Sequence, residues 1–264
     1  MICDEKITDL HLHAGWTDFD RDDQDKRTKE DIVLRVESFL IKYKKAGVSL
    51  ARDACGFSDE LRTRIRGDVC DVRDNWIKIF VTAGVGRGSK EVLEPVMSKE
   101  SFMRQVRKIH DEGKLVMVHC YGGVSLDWCI EAGADSIEHG VYMTREQAFS
   151  LAKNNIAYIP TAAIYRLLAH ESDMFNMPKA IKSMISENAK AAADAHVRAV
   201  QYALDEGVLI GHGTDFYADD VFIEHIHDEI ETLMDLGLSR GQAIKSATAD
   251  ANKILDGSFR QRQA

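Results

Sequence analysis

Short apolar runs alternate with longer amphipathic stretches along most of the chain. Trp76–Thr82 (WIKIFVT) is the clearest apolar run, and Lys114–His119 (KLVMVH) is another. This alternation is typical of parallel strands joined by helices. The predicted strands are Lys6–His13, Val48–Asp53, Trp76–Thr82, Lys114–His119, Asp135–His139, Ile156–Pro160 and Val208–Gly211. The predicted helices are Lys29–Ala46, Ser58–Arg66, Lys99–Glu112, Leu126–Ala132, Arg145–Lys153, Lys179–Leu204, Ile223–Leu236 and Gly241–Asp250.

Seven strands of this pattern in 264 residues predict an α/β fold, a TIM-like (β/α)8 barrel that forms a single domain over residues 1–264. An eighth strand is needed between Val48–Asp53 and Trp76–Thr82, and Asp68–Val72 is the candidate. Because no helix fits after it, we predict that the third β/α unit is shortened. The charged stretch Thr17–Asp31 is expected to be a solvated loop that leads into a helix, and a lid is the alternative.

Charge and composition exclude several classes of partner. The formal net charge of −9 disfavours nucleic acid and anionic membranes, because both would repel the protein at long range. No segment approaches the roughly 20 apolar residues that span a bilayer, and the first residues do not resemble a signal peptide. Five cysteines, none spaced as CxxC, favour reduced thiols. We therefore expect a cytoplasmic protein that acts on a small molecule, and a homo-oligomer is compatible with the sequence.

Polar residues stand where the predicted strands end. In an α/β barrel the carboxyl ends of the strands meet at one face, and functional residues collect there. His11 and His13 alternate with Leu12, so a period of two directs both imidazoles to the same face of the strand. The other strand ends carry Lys78, His119, His139 and Asp215. Each histidine alone is better explained as a structural residue, but the set from five strands predicts a metal site.

Lys78 lies inside a buried strand, where an unpaired charge is costly. One interpretation is an ion pair with Asp53 or Asp215. The other is a lysine carbamylated by carbon dioxide, which gives an anionic bridge between two cations. The histidines at the neighbouring strand ends favour the carbamate.

Asp215 follows a run of small residues, Gly211–Thr214. A turn or helix-capping aspartate is the structural interpretation. The functional one is a carboxylate that binds a metal and also acts as general base, taking a proton from the attacking water and giving it to the leaving group. Neutral histidines and oxygen ligands suit zinc, and manganese, iron and cobalt remain open.

The motifs resemble the amidohydrolase superfamily, most closely its binuclear branch of prolidase-like and imidazolonepropionase-like proteins. The similar segments are TDLHLHAG (8–15), VSLARDACG (48–56), WIKIFVTAG (76–84), LVMVHCYGG (115–123), ADSIEHGVY (134–142), IAYIPT (156–161), IGHGTD (210–215), EIETLMDLGLS (229–239) and SATADANKILD (246–256). The resemblance implies a metal-dependent hydrolase that cleaves an amide C–N bond in an N-acyl amino acid, dipeptide or cyclic amide. The usual β-sandwich of such proteins is expected to be absent.

Carried over position by position, the resemblance implies two divalent ions. His11, His13 and Asp215 would hold one, His119 and His139 the other, and carbamylated Lys78 would bridge them. Substrate contacts are expected from Tyr121, His227 and Tyr165, and weaker candidates are His212, His225 and Arg87.

Two other functions fit the same pattern less well. A mononuclear deaminase of this fold lacks the bridging lysine and needs a catalytic glutamate. Glu138 is beside His139, but strand alternation predicts that it points away from the site. A barrel that binds a ligand without turnover is disfavoured because every ligand position is filled. Ester or lactone hydrolysis would use the same machinery as amide hydrolysis.

Overall fold

The computed structural model describes residues 6–85, 91–177 and 179–260. It is an α/β fold whose strands form two four-stranded parallel sheets, in the orders β3-β2-β1-β8 and β4-β5-β6-β7. The strands are β1 (Ile7–His13), β2 (Val48–Asp53), β3 (Asp71–Arg73), β4 (Trp76–Phe80), β5 (Leu115–Gly122), β6 (Ser136–Tyr142), β7 (Ala157–Ile159) and β8 (Phe216–Tyr217). The helices are α1 (Arg21–Asp25), α2 (Lys29–Lys45), α3 (Asp59–Arg64), α4 (Lys99–Asp111), α5 (Gly123–Ala132), α6 (Arg145–Lys153), α7 (Ala162–His170), α8 (Lys179–Asp205), α9 (Asp228–Asp235), α10 (Arg240–Ala247) and α11 (Ala249–Leu255).

The segment 209–213 joins the two sheets and closes this side of a TIM-like barrel. Tyr158 of β7 donates its N–H to Leu209 O at 2.9 Å and accepts from Gly211 N at 2.9 Å. On the other side, Leu10 of β1 donates its N–H to His212 O at 2.9 Å. Because the segment hydrogen-bonds to both neighbours in turn, the wall continues from β7 to β1.

The predicted last strand, Val208–Gly211, is therefore only partly right. Within it, Ile210 forms a single bridge with Tyr158, and the strand that pairs with this edge of β1 is β8, later in the chain. Asp215 has a left-handed backbone (φ 59°) that interrupts the extended segment between these two places. The chain therefore bends at Asp215 before β8 pairs with β1, and the apolar run Val208–Gly211 does not indicate this bend.

The third β/α unit is shortened, as predicted. β3 has three residues and begins at Asp71, later than the predicted Asp68. Only Asp74 and Asn75 separate it from β4, so no crossover helix lies between them.

The strand β1 is covered on both faces. All seven residues of β1 are buried, because one face meets the barrel interior and the other meets α10 and α11. Among the described residues, no helix combines the length and the apolar character needed to cross a bilayer.

Four helical regions differ from the predictions. α7 lies where no element was predicted. The predicted helix Ile223–Leu236 divides into a short 3₁₀ turn and α9, and Gly241–Asp250 divides into α10 and α11 at Thr248. Thr17–Asp31 contains the five-residue α1, and α2 begins after Thr28, whose side chain caps its N-terminus.

Candidate active site

β1 supplies two imidazoles on the same face. The ring centroids of His11 and His13 lie 5.4 Å apart, and Leu12 between them packs in the hydrophobic core. His11 is fully buried and His13 nearly so. The predicted period of two therefore places both rings in one site.

β6 departs from strand alternation at His139. The φ of His139 is 73°, in the left-handed region, and Gly140 follows with a φ of 52°. This local turn lets two consecutive side chains enter the barrel. The His139 ring centroid lies 5.0 Å from that of His11, and Glu138 Oε2 lies 2.5 Å from His11 Nδ1. The prediction that Glu138 points away was wrong, because it assumed a regular strand.

Asp215 faces three imidazoles at once. Its Oδ1 lies 3.1 Å from His13 Nε2 and 3.4 Å from His11 Nε2, and its Oδ2 lies 3.9 Å from His139 Nδ1. Donor atoms of His11, His139 and Asp215 all lie within 4.8 Å of one another. Imidazole nitrogens and a carboxylate oxygen are donors that can hold a divalent metal ion.

Lys78 points its amine at the same cluster. Its Nζ lies 3.1 Å from His11 Nε2. In the part of the chain that the structure describes, no ion pair joins Lys78 to a carboxylate, so the pairing with Asp53 or Asp215 is not seen. Burial lowers the pKa of Lys78 below its usual value. A larger neutral fraction follows, and the neutral amine is the form that reacts with carbon dioxide.

His119 of β5 completes the group of predicted ligands. Its ring centroid lies 4.6 Å from that of His139 and 5.1 Å from Phe80. The loop after β4 approaches this imidazole so closely that a Cβ on Gly84 would lie 2.5 Å from His119 Nε2. Glycine at this position, with a φ of 78°, is therefore required by the site.

Burial and neighbouring charged groups give the histidines of the site different pKa values. Burial lowers the pKa of both His11 and His139 well below the usual value, and neighbouring cationic groups lower it further. Burial also disfavours a charged His13, but its hydrogen bonds to Asp215 and Cys55 outweigh this and raise its pKa to about 10. His11 and His139 are thus neutral, the protonation state that binds metals.

A cavity of about 370 Å³ opens directly over these residues. His13, His119, His139 and Asp215 form its floor, and aromatic and aliphatic side chains form most of the wall. The apolar wall residues are Trp16, Phe19, Phe80, Ala83, Val85, Ile164, Leu168 and Phe175, with Tyr121, Tyr165 and Tyr217 beside them. The indole of Trp16 stacks on the His13 ring at 3.8 Å. Such a wall favours a substrate with a bulky apolar group.

The predicted substrate contacts divide into two groups. Tyr121 and Tyr165 line the cavity, with their hydroxyl oxygens 2.5 Å apart. His227 does not line it and lies at the N-terminus of α9. His212 is buried outside the cavity, and Arg87 lies outside the described residues. His225 is also outside the cavity and pairs with Asp228 at 2.7 Å.

The sequence did not single out several residues of this site. Trp16, Cys55 and Arg21 line the cavity, and Thr161 Oγ1 lies 2.8 Å from His139 Nδ1. Trp16 could have been found from its position three residues after His13. Cys55, Arg21 and Thr161 could not have been found from the sequence pattern, because loops and a left-handed residue bring them to the site.

Comparison with protein-family models matches the amidohydrolase family over residues 3–256. Ochratoxinase of Aspergillus niger is 25% identical over 178 residues, which are 66% of this chain and 35% of that protein. An uncharacterized protein of Mycobacterium tuberculosis is 27% identical over 192 residues, which are 69% of this chain and 47% of that protein. The matched part is thus about a third to a half of the length of these relatives.

Solved structures share the fold. A prolidase crystallised with N-methylphosphonate-L-proline has a TM-score of 0.83 and 18% identity, covering 98% of this chain and 75% of that chain. Ochratoxinase of A. niger has a TM-score of 0.81, also at 18% identity, covering 95% of this chain and 71% of that chain. At these identities the likeness establishes the barrel and not a substrate.

Proposed function

Because the chain belongs to the amidohydrolase family, we propose that it is a metal-dependent hydrolase that cleaves the amide C–N bond of a small molecule. One observation carries the proposal. Side chains from β1, β4, β5, β6 and the segment before β8 converge under one apolar cavity, and the cluster contains a set of donor atoms within 4.8 Å.

We expect these residues to hold two divalent ions, with zinc as the first choice. His11, His13 and Asp215 would hold one ion, and His119 and His139 the other. Lys78, as a carbamate, would bridge them. When bound, such ions polarise a carbonyl and lower the pKa of water toward neutrality.

Residues of this chain would transfer the proton, bind the substrate and exclude water. Asp215 lines the cavity and its carboxylate lies within 3.9 Å of three imidazoles, so it would accept the proton of the attacking water and deliver it to the leaving amine. Tyr121 and Tyr165 present hydroxyl groups to the same cavity and would hydrogen-bond the substrate. The apolar wall would hold a bulky apolar substituent and exclude water.

Metal content tests this function. The protein is purified from medium with zinc and bicarbonate, and metal per chain is measured by plasma mass spectrometry for wild type, Lys78→Ala and Lys42→Ala. Lys42 is an exposed lysine that pairs with Asp220, so its replacement is the matched control. We expect close to two ions in wild type and control, and far fewer in Lys78→Ala. Amides, esters and lactones with aromatic groups are then screened as substrates.

The same measurement decides on the alternative of a mononuclear deaminase. The inward orientation of Glu138 supplies the glutamate that such an enzyme needs. However, Glu138 does not line the cavity and contacts the Nδ1 side of His11. One ion per chain, unchanged by Lys78→Ala, would contradict the binuclear hydrolase and favour the deaminase. No bound metal would contradict both.

A further inference from the structure

A buried salt bridge lies inside the barrel beneath the site. Glu138 and Arg52 are both fully buried, and neither lines the cavity. Arg52 Nη2 donates to Glu138 Oε1 at 2.8 Å and to Oε2 at 3.0 Å. The Oε2 atom also lies 2.5 Å from His11 Nδ1. The pair therefore contacts one predicted metal ligand directly.

Further contacts fix both members of the pair. Arg52 donates from Nε to Leu10 O at 2.6 Å, and its guanidinium lies 4.4 Å from the centroid of the Trp76 ring. Ser136 Oγ donates to Glu138 Oε1 at 2.5 Å and accepts from Arg52 Nη1 at 3.1 Å. Buried charges persist when they are paired and hydrogen-bonded in this way. The carboxylate of Glu138 thus has one orientation, with Oε2 toward His11.

This orientation determines which nitrogen of His11 carries the proton. An ionised carboxylate only accepts hydrogen bonds, so the Nδ1 atom that faces it is the N–H donor. Nε2 then carries the lone pair, which faces Lys78 Nζ at 3.1 Å, and Asp215 Oδ1 lies 3.4 Å from the same atom. A metal ion needs that lone pair.

We propose that the Arg52–Glu138 pair positions His11 as a metal ligand by holding its ring orientation and its Nδ1–H tautomer. This proposal rests on the proposed function, because it requires that His11 Nε2 binds an ion. Glu138 is a positioning residue, since it acts through His11 and touches neither the cavity nor the substrate.

Glu138→Gln gives a sharp test. The amide oxygen is expected to face the donors of Arg52 and Ser136, which turns the amide NH₂ toward His11 Nδ1. His11 then changes to the Nε2–H tautomer, and its ligand lone pair is lost. The apparent Kd for Zn²⁺, measured by competition with a chromogenic chelator, should rise about 10–100-fold. Nitrogen-15 NMR of the metal-free protein should show the changed tautomer.

Asp135→Asn is the matched control. Asp135 is buried and pairs with a histidine and an arginine, as Glu138 does: His110 Nε2 lies at 2.9 Å and Arg260 Nε at 2.7 Å. This second group lies outside the cavity lining. Asp135→Asn should leave the Kd for Zn²⁺ unchanged, even if the free energy of unfolding falls.

A second variant covers the case in which Glu138→Gln does not fold. Glu138→Asp keeps the charge and the partner of Arg52, but withdraws the carboxylate by one methylene, so zinc binding should still weaken. Wild-type Kd and the Nδ1–H tautomer in every folded Glu138 variant would overturn the proposal. If wild type binds no zinc, the proposed function fails, and the tautomer in metal-free protein still decides whether Glu138 orients His11.

Discussion

Left-handed backbone conformations, which residues with side chains rarely adopt, occur in the site at His139, Thr161 and Asp215. The φ values are 73° for His139, 51° for Thr161 and 59° for Asp215. Such strain costs on the order of 1–3 kcal/mol per residue and persists only where the surroundings hold it. The His139 carbonyl accepts hydrogen bonds from Tyr158 Oη at 3.0 Å and His196 Nε2 at 2.9 Å. These bonds offset the strain and place the imidazole in the site.

Asp215→Asn tests the general base with little disturbance of the backbone, since asparagine tolerates the left-handed region well. We expect kcat to fall by about 10²–10⁴-fold, because an amide cannot take the proton of the attacking water. Steady-state kinetics on an amide found by screening measures this. Asp235→Asn, on the surface beside Arg166, is the control. An unchanged kcat for Asp215→Asn would contradict the role of base.

Elements that bury one face were predictable from the sequence. β2 and α6 have the predicted bounds, because their apolar spacing and caps are local features. α7 was not predicted, since most of its residues are buried and it shows no polar stripe. The convergence of His11, His13, His119, His139 and Lys78 followed from their places at strand ends. The inward turn of Glu138 could not be predicted, because it depends on one left-handed residue.

The carboxylate of Asp9 ties β1 to α2 and to the segment before β8. Tyr43 Oη of α2 donates to Asp9 Oδ2 at 2.7 Å, and Thr214 donates to Asp9 from Oγ1 at 2.7 Å and from its backbone N–H at 3.0 Å. These bonds hold Thr214, and therefore the neighbouring Asp215, against β1.

Tyr43→Phe removes one of these bonds and keeps the ring. Because a hydrogen bond to a charged group is lost in a buried place, the free energy of unfolding should fall by about 1.5–3 kcal/mol. Urea denaturation measures the change. Tyr202→Phe is the control, since the Tyr202 ring contacts Arg145 at the partly exposed surface of α8. An equal decrease in the free energy of unfolding of both variants would show that the hydrogen bond from Tyr43 to Asp9 adds no stability.

Glu229 of α9 is a fully buried acid whose Oε2 accepts from the backbone N–H of Ala163, in the first turn of α7, at 2.6 Å. Burial raises its pKa from 4.5 to about 8. Between these values the folded protein binds a proton that the unfolded chain releases. The contribution of Glu229 to stability is therefore greatest at low pH and falls as the pH rises from about 4.5 to 8, by up to about 1.4 kcal/mol per unit.

Glu229→Gln removes this dependence. The free energy of unfolding of the variant, relative to wild type, should rise steadily between pH 5 and pH 8 in denaturation experiments. For the exposed Glu146, a hydrogen bond from its own backbone N–H lowers the pKa, so Glu146→Gln should show no such rise. A difference between Glu229→Gln and wild type that does not change with pH would show that Glu229 is ionised in the folded protein.

The site connects both four-stranded sheets of the whole molecule. His11 and His13 belong to the sheet of β1, whereas Lys78, His119 and His139 belong to the sheet of β4. An ion held between them would bind the folded barrel and not the unfolded chain, so its binding energy adds to stability.

Metal removal should therefore lower the Tm of the wild-type protein. At a free zinc concentration 100 times the Kd, the added stability is about 2.7 kcal/mol. Scanning calorimetry with zinc and with a chelator measures the shift. The Tm shift should disappear in His139→Asn. It should remain in His110→Ala, because His110 lies outside the cavity lining. Identical Tm values with zinc and with chelator would contradict an ion that joins the sheets.

The order of the site residues along the chain has a consequence for biosynthesis. His11 is synthesised more than two hundred residues before Asp215, whose backbone N–H donates to His11 O at 2.7 Å. Pairing of such distant segments is slow, because a long loop must close before the contact forms. A nascent chain on the ribosome therefore exposes His11 and His13 before Asp215 exists, and the predicted metal site can be complete only after residue 215 has emerged.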